Sequence, residues 1–374
     1  MKTTPLLLAA LAFAGTADAN VWQRAIDNDK DSQTQYEAGL TAGDEAAAQA
    51  NNRGVNLSTT LRLIDTSISA YKGAAKLRPT EGEPWYRIGS VLNHFFFDCT
   101  DGFGARPVTC AMQNDPGRAQ AIVEAFDTFE KVAPLDPRVA LILNQRAIIR
   151  TKLVSSIPPE IGNLHRMLAR RDLTDVQRKE LEERLKKQEK ENNDRRTKLL
   201  ELAAKDYQSM IDHADSLNEG ALHLSYGNLA ETYMMVGKLD EAIDAYRLAL
   251  RARGNLGASL TYGYAVALDR DDQGVEAKRV IRSLPRESLT NFEDEYRKGH
   301  VFYVPAGEEE YYFALLYEAF GDTEESIERW QAYIKSGAHP QYQPRAKVHL
   351  DALTKQRGKA KPPAPPDDPI RDFR

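Results

Sequence analysis

Long apolar runs are missing from this chain of 374 residues everywhere except at its start. No later segment is apolar enough to cross a membrane, and the initial run, Leu6 to Ala14, is too short for a permanent span. An excess of one charge is missing too. The net charge is -5 with the signs mixed, which argues against nucleic acid as a partner. Strand-like runs of Val, Ile and Thr are scarce, and Gly and Pro are modest in number, so an all-α class is expected. The usual signatures of catalysis are absent. There is no HExxH, no phosphate-cradling Gly-rich loop with a following Lys, and no Gly-flanked nucleophilic Ser. The seven histidines are scattered, and His213 and His223 fall on different predicted helices. No enzyme, resident metal or cofactor is expected.

The start of the chain reads as an export signal. Lys2 supplies the positive end, Leu6 to Ala14 the apolar run, and Ala17-Asp18-Ala19 a small-residue cleavage site before Asn20. No Cys follows that site, so a lipoprotein anchor has nothing to attach to. A short signal with one Lys suits a bacterium, and the mature chain is expected to be periplasmic or secreted. In such a compartment the only two cysteines, Cys99 and Cys110, are expected to pair across the loop TDGFGARPVT. Closing that loop would remove roughly 3 kcal/mol of unfolded-state entropy. A metal reading would add His94, but three ligands in a thiol-oxidising compartment make a poor site.

What is present is a rhythm of small and large residues, clearest from Leu229 to Ala249. Ala230, Tyr233, Gly237, Ala242, Tyr246 and Ala249 are spaced to interlock two antiparallel helices, with tyrosines as knobs and alanines as holes. Gly237 ends the first helix, and Asp240 and Glu241 suit the first turn of the second. This pattern resembles the tetratricopeptide-repeat family. Trp85, Ile88, Gly89 and Leu92 are similar to the family's opening W-x-x-L-G, and Ala125, Phe129, Val132 and Pro137 to its ending. Ala265, Leu268, Ala277 and Ile281 keep the same phase, as do Ala314, Tyr317, Gly321, Ser326, Trp330 and Tyr333. Arg150 and Asp272 depart from it, standing where the family is apolar.

The resemblance implies a superhelix of about six helical pairs over residues 20–357. The expected pairs are Ser32 to Ala50 with Ser58 to Leu77, and Glu83 to Phe97 with Arg118 to Val132. Next comes Arg138 to Leu153, whose partner is delayed to Leu199 to His213. The last three are Glu219 to Val236 with Leu239 to Arg253, Leu256 to Leu268 with Gln273 to Leu284, and Glu308 to Phe320 with Thr323 to Lys335. An insertion over about 155–198 carries a short helix and a long charged one opened by a Thr174/Gln177 capping box, and is expected to project as an arm. The phase is lost between Pro285 and Gly307, where YRKGHVFYVPAG reads as non-helical. Gln341 to Gln356 is a capping helix with Leu350 and Leu353 inward, and 358–374 is a proline-rich, extended tail.

Stacked repeats bind partners along a concave wall lined by the first helix of each pair. The family's phase points Tyr86, Ser90, Asn93, Asn144, Glu231, Met234, Met235, Tyr262, Asp269, Arg270, Tyr311 and Glu318 toward that groove. Tyr and Met give broad, adaptable contact area suited to a peptide or partner helix. The family's carboxylate clamp of Lys and Asn is absent at Tyr86/Ser90 and at Gly227/Glu231. Two acidic runs imitate calcium loops, but Asp269, Asp271 and Gln273 would place the closing ligand on Val280, and Asp27, Asp29 and Asp31 on Ala38. Both read as solvated turns. The expected function is an interaction scaffold of the bacterial envelope, or alternatively an assembly subunit acting through the charged arm and convex face.

Overall fold

The structure is a computed structural model that describes residues 16–52, 55–98, 109, 115–154, 159–213, 219–251, 257–298, 301 and 305–359. Helices and the turns that join them make up these residues, with no strand among them. Two compact units are present, Met1–Ile142 and Leu143–Arg374. Their boundary falls inside the helix Val139–Leu153.

In the first unit, α1 (Thr16–Ala50) pairs with α2 (Leu57–Leu77), and α3 (Glu83–Asn93) with α4 (Pro116–Val132). α1 begins well before the expected Ser32 and runs across the expected cleavage junction at Ala19. Glycines decide how closely each pair packs. A Cβ on Gly43 would lie 2.6 Å from Cδ1 of Tyr71, and one on Gly89 would lie 2.5 Å from Cδ1 of Phe126. Tyr71 and Phe126 are therefore the knobs, and Tyr71 anchors its phenol by donating to Asp44 at 2.7 Å. The cap of α2 is Asn56, two residues before the expected Ser58; its side chain accepts from the Thr59 amide. After α3 the chain widens into a π-turn, His94–Asp98, which buries Phe95, Phe96 and Phe97 in succession. The Phe95 carbonyl accepts from the Thr109 hydroxyl at 2.6 Å. Cys99 and Cys110 lie outside the described residues.

In the second unit, α5 (Val139–Leu153) is followed by α6 (Pro159–Leu168) and α7 (Asp175–Asp212). The capping box forms as expected: Thr174 and Gln177 satisfy each other's amides. The charged insertion and the delayed repeat helix are not separate elements, however. Residues from Asp175 to Asp212 hold no Gly or Pro and abound in Glu, Lys, Arg and Leu, so a single helix runs through both. Arg150, which stands where the repeat family is apolar, is buried beside Arg146, and both bind Asp206 of α7.

Next come α8 (Glu219–Met235) with α9 (Leu239–Arg251), and α10 (Ala258–Arg270) with α11 (Gly274–Ile281). They are followed by α12 (Glu287–Arg297), the pair α13 (Glu308–Phe320) and α14 (Thr323–Ser336), and the last helix, α15 (Gln343–Lys359). Three corners share one geometry. Gly237, Asp272 and Gly321 all take positive φ, and the amide after each donates five residues back, to Tyr233, Leu268 and Tyr317. Asp272 therefore departs from the repeat at a corner and not inside a helix. Tyr246 is fully buried as a knob should be, whereas Tyr233 is only half-buried. The segment where the phase is lost begins with a helix: α12 packs Leu289 and Phe292 inward, and Tyr296 belongs to it. No described helix is long and apolar enough to cross a membrane.

Candidate functional site

In the first unit, three expected groove residues lie on α3. Tyr86 is half-buried, with its ring 5.5 Å from that of Phe129 and the Arg138 guanidinium 4.3 Å from its centroid. Arg138 is tied in turn to Glu83 at 2.7 Å and to Asp136 at 2.8 Å. Burial opposes ionisation of Glu83, but Arg87 and Arg138 outweigh it and lower its pKa. Ser90 is half-buried and Asn93 is buried. Asn144, on α5 in the second unit, is half-buried.

In the second unit most expected groove residues are interior. Met234, Tyr262, Asp269, Arg270 and Tyr311 are buried, so they line no open wall. What covers them is the chain itself. Phe292 of α12 stands edge-on against Tyr262 at 5.2 Å. The turn Pro340–Tyr342 and α15 cover the rest: Tyr342 donates to the Met234 carbonyl at 3.1 Å, and its ring stacks 4.1 Å from Arg270. Glu231 accepts from Tyr312 at 2.8 Å and from Tyr246, and its carboxylate lies so close to Gly263 that a Cβ there would come within 2.6 Å. Burial raises its pKa against the pull of both phenols.

Two residues of α15, one turn apart, complete a charged network. Asp269 accepts from Tyr311 at 2.8 Å, Arg345 at 2.8 Å and His349 at 3.1 Å. His349 also meets Glu318 at 2.8 Å, and Glu318 further binds Lys278 at 2.6 Å and Trp330 at 3.1 Å. The imidazole lies flat on Trp330, 4.7 Å between centroids. Burial alone would lower the His349 pKa, but the two carboxylates raise it to about 9, so the ring is a cation at neutral pH. Burial would raise Asp269, and His349 and Arg345 instead hold it far below the usual carboxylate range. A second buried pair, Arg270 with Glu308 at 2.7 Å, sits beneath Tyr342. Asp269 is thus a buried, neutralised anion inside α10, and not the solvated turn residue expected. Among the described residues no His, Cys, Asp and Glu group is arranged to hold a metal.

Sequence reasoning missed Arg345 and His349, although their i, i+4 spacing on a helix with Leu353 inward was a usable signal. It also missed a cavity of about 720 Å³ in the second unit. Asn193, Arg196, Thr197 and Leu200 of α7 form one wall, and Met235 and Val236 at the end of α8 another. Residues from Ser336 to Gln341 close the far side. Of the expected groove residues, only Met235 lines it.

No family model matches the sequence, and no curated protein does. Among solved structures the chain is similar to yeast Tom70, at 14% identity and a TM-score of 0.29, over 93% of this chain and 76% of that one. It is also similar to the TPR domain of P58(IPK), at 13% identity and a TM-score of 0.20, over 87% of this chain and 99% of that one. Likenesses this distant bear on neither the fold nor the function of this chain.

Proposed function

We propose that this protein is a non-enzymatic interaction scaffold of the bacterial envelope, exported by its N-terminal segment and built of TPR-like helical pairs. The observation that carries this reading is the repeated corner. Gly237, Asp272 and Gly321 end first helices in the same way, and such hairpins present side chains from rigid elements while leaving the chemistry to partners. A protein or peptide segment would dock where groove residues keep exposure: Tyr86 and Ser90 in the first unit, Asn144 and Met235 in the second. Pairing of Cys99 with Cys110 would staple the loop that ends at Thr109 and its neighbours. Thiol titration of the denatured, unreduced protein should then find no free thiol.

The arm supports a second reading, in which the chain is an assembly subunit. The outer half of α7 packs against α6 and carries exposed ion pairs such as Lys187 with Glu191 and Lys190 with Asp194. A photo-crosslinking residue placed in the native cell at Ser90, Met235 or Lys187 separates the two readings. Protein adducts at Ser90 or Met235 support groove docking. Adducts at Lys187 alone support the arm, and adducts at none of the three overturn both.

A further inference from the structure

We propose that the cavity between α7, the end of α8 and the Ser336–Gln341 corner binds an extended peptide segment in which an acidic side chain neighbours a bulky apolar one. The inference rests on the scaffold reading and names the partner chemistry of one site. Val154, Leu200, Met235 and Val236 form a small apolar cluster of their own, apart from the main core. All four also line the cavity, together with Pro305, Ala306, Ala338 and Pro340. A cavity of this size lies in the range of ligand sites, about 300 to 1,000 Å³, and its apolar cluster gives a large side chain of a short segment a surface to cover.

Among the described residues of the lining, the one cation without a carboxylate beside it is Arg196. His339 also lines the cavity but faces the buried Glu308 at 3.8 Å. Arg196 donates through Nε to the Val154 carbonyl at 2.9 Å, which fixes the guanidinium plane. No carboxylate among the described residues pairs with it, whereas Arg138, Arg146, Arg150, Arg270 and Arg345 all have one. Burial, then the adjacent Arg195, draws its pKa down, the reverse of what an acid partner would do. A half-buried guanidinium held by one nitrogen offers its two others as a planar fork for a carboxylate.

The polar rim favours a peptide over a fatty acid. Asn193 and Thr197 on α7 and Gln341 opposite bring amide and hydroxyl groups to the cavity. A peptide backbone can pair with such groups, whereas an alkyl chain would bury them without partners.

The test is selection of random linear displayed peptides on the full chain, followed by titration of the recovered sequences as capped synthetic peptides. Recovered peptides should place Asp or Glu beside a large apolar residue. Arg196→Gln, and Gln341→Glu at an exposed rim position, should each weaken binding by at least about tenfold, the scale of one charge-assisted contact. Lys186→Gln on the arm should leave it unchanged, and circular dichroism should be the same for all. Peptides that bind regardless of Arg196 would sink this site while leaving the scaffold reading standing. Recovery of no peptide would also sink this site, while the crosslinking experiment decides the scaffold reading separately. Dodecanoate binding that Arg196→Gln abolishes, with no peptide dependence on Arg196, would replace the peptide by a lipid-like anion and overturn the proposal.

Discussion

The two units solve the same packing problem with different interiors. Among the described residues, the buried polar ones of the first are all uncharged: Thr60, Ser67, Asn93 and Thr109. The second buries Arg146, Arg150, Asp206, Asp269, Arg270, Glu308 and His349. In the first unit a ring against a glycine sets the distance between helices, as Tyr71 does at Gly43. In the second, ion pairs fix which helix lies over which. Apolar packing tolerates sliding among similar shapes, whereas a buried cation without its anion is strongly disfavoured. The difference shows where position is specified by shape and where by charge.

The largest predicted effect tests the charged interior. Asp269→Ala strands His349 and Arg345, and should destabilise the second unit by about 3–5 kcal/mol, the cost of leaving buried charge unpaired. Chemical denaturation with hydrogen exchange resolved along the chain should place the loss in α10, α13 and α15. Equal loss in α1 and α2 would erase the contrast between the units.

Alkaline titration should discriminate next. His349 titrates at about 9 in the fold against an ordinary 6.5, so its contribution is complete below about 6.5 and is lost as pH rises through 9. The span is worth on the order of 3 kcal/mol. Protection of α15 amides, corrected for intrinsic exchange, should fall across that window. His349→Gln should flatten the dependence. Asp269 and Glu318, both lowered, contribute in the opposite sense, losing their share only as the solution becomes acidic.

Shape should matter in the first unit. Gly43→Ala drives a methyl into the buried Tyr71 ring and should cost about 1–3 kcal/mol by thermal melting, with little dependence on salt. The smallest effect belongs to the non-glycine corner. Asp272→Gly relieves a positive φ worth about 1 kcal/mol but removes an exposed pair with Arg345 worth at most about 1 kcal/mol. A net change of a few tenths of a kcal/mol either way is expected, against a clear loss for Gly321→Ala.

Much of the frame was legible in the sequence because it is carried by local chemistry. Gly237 and Gly321 marked corners, Thr174 with Gln177 marked a helix start, and Leu353 marked the inner face of the last helix. The candidate groove was not legible in the same way. Helical phase says which side of a helix Tyr262 or Asp269 occupies, but not that α12 and α15 return to cover that side. Charged residues hid the rest. Nothing local marks Arg146, Arg150 and His349 as interior, because the anions that neutralise them lie far away in sequence.

The unbroken helix α7 has a mechanical consequence. Thirty-eight residues in one helix make a rod roughly 57 Å long. Its outer part carries Lys187 and Lys190, and its inner part carries Arg196 and Leu200 in the cavity wall. No Gly or Pro lies between them to kink the helix, so one continuous backbone joins the charged arm to the cavity wall.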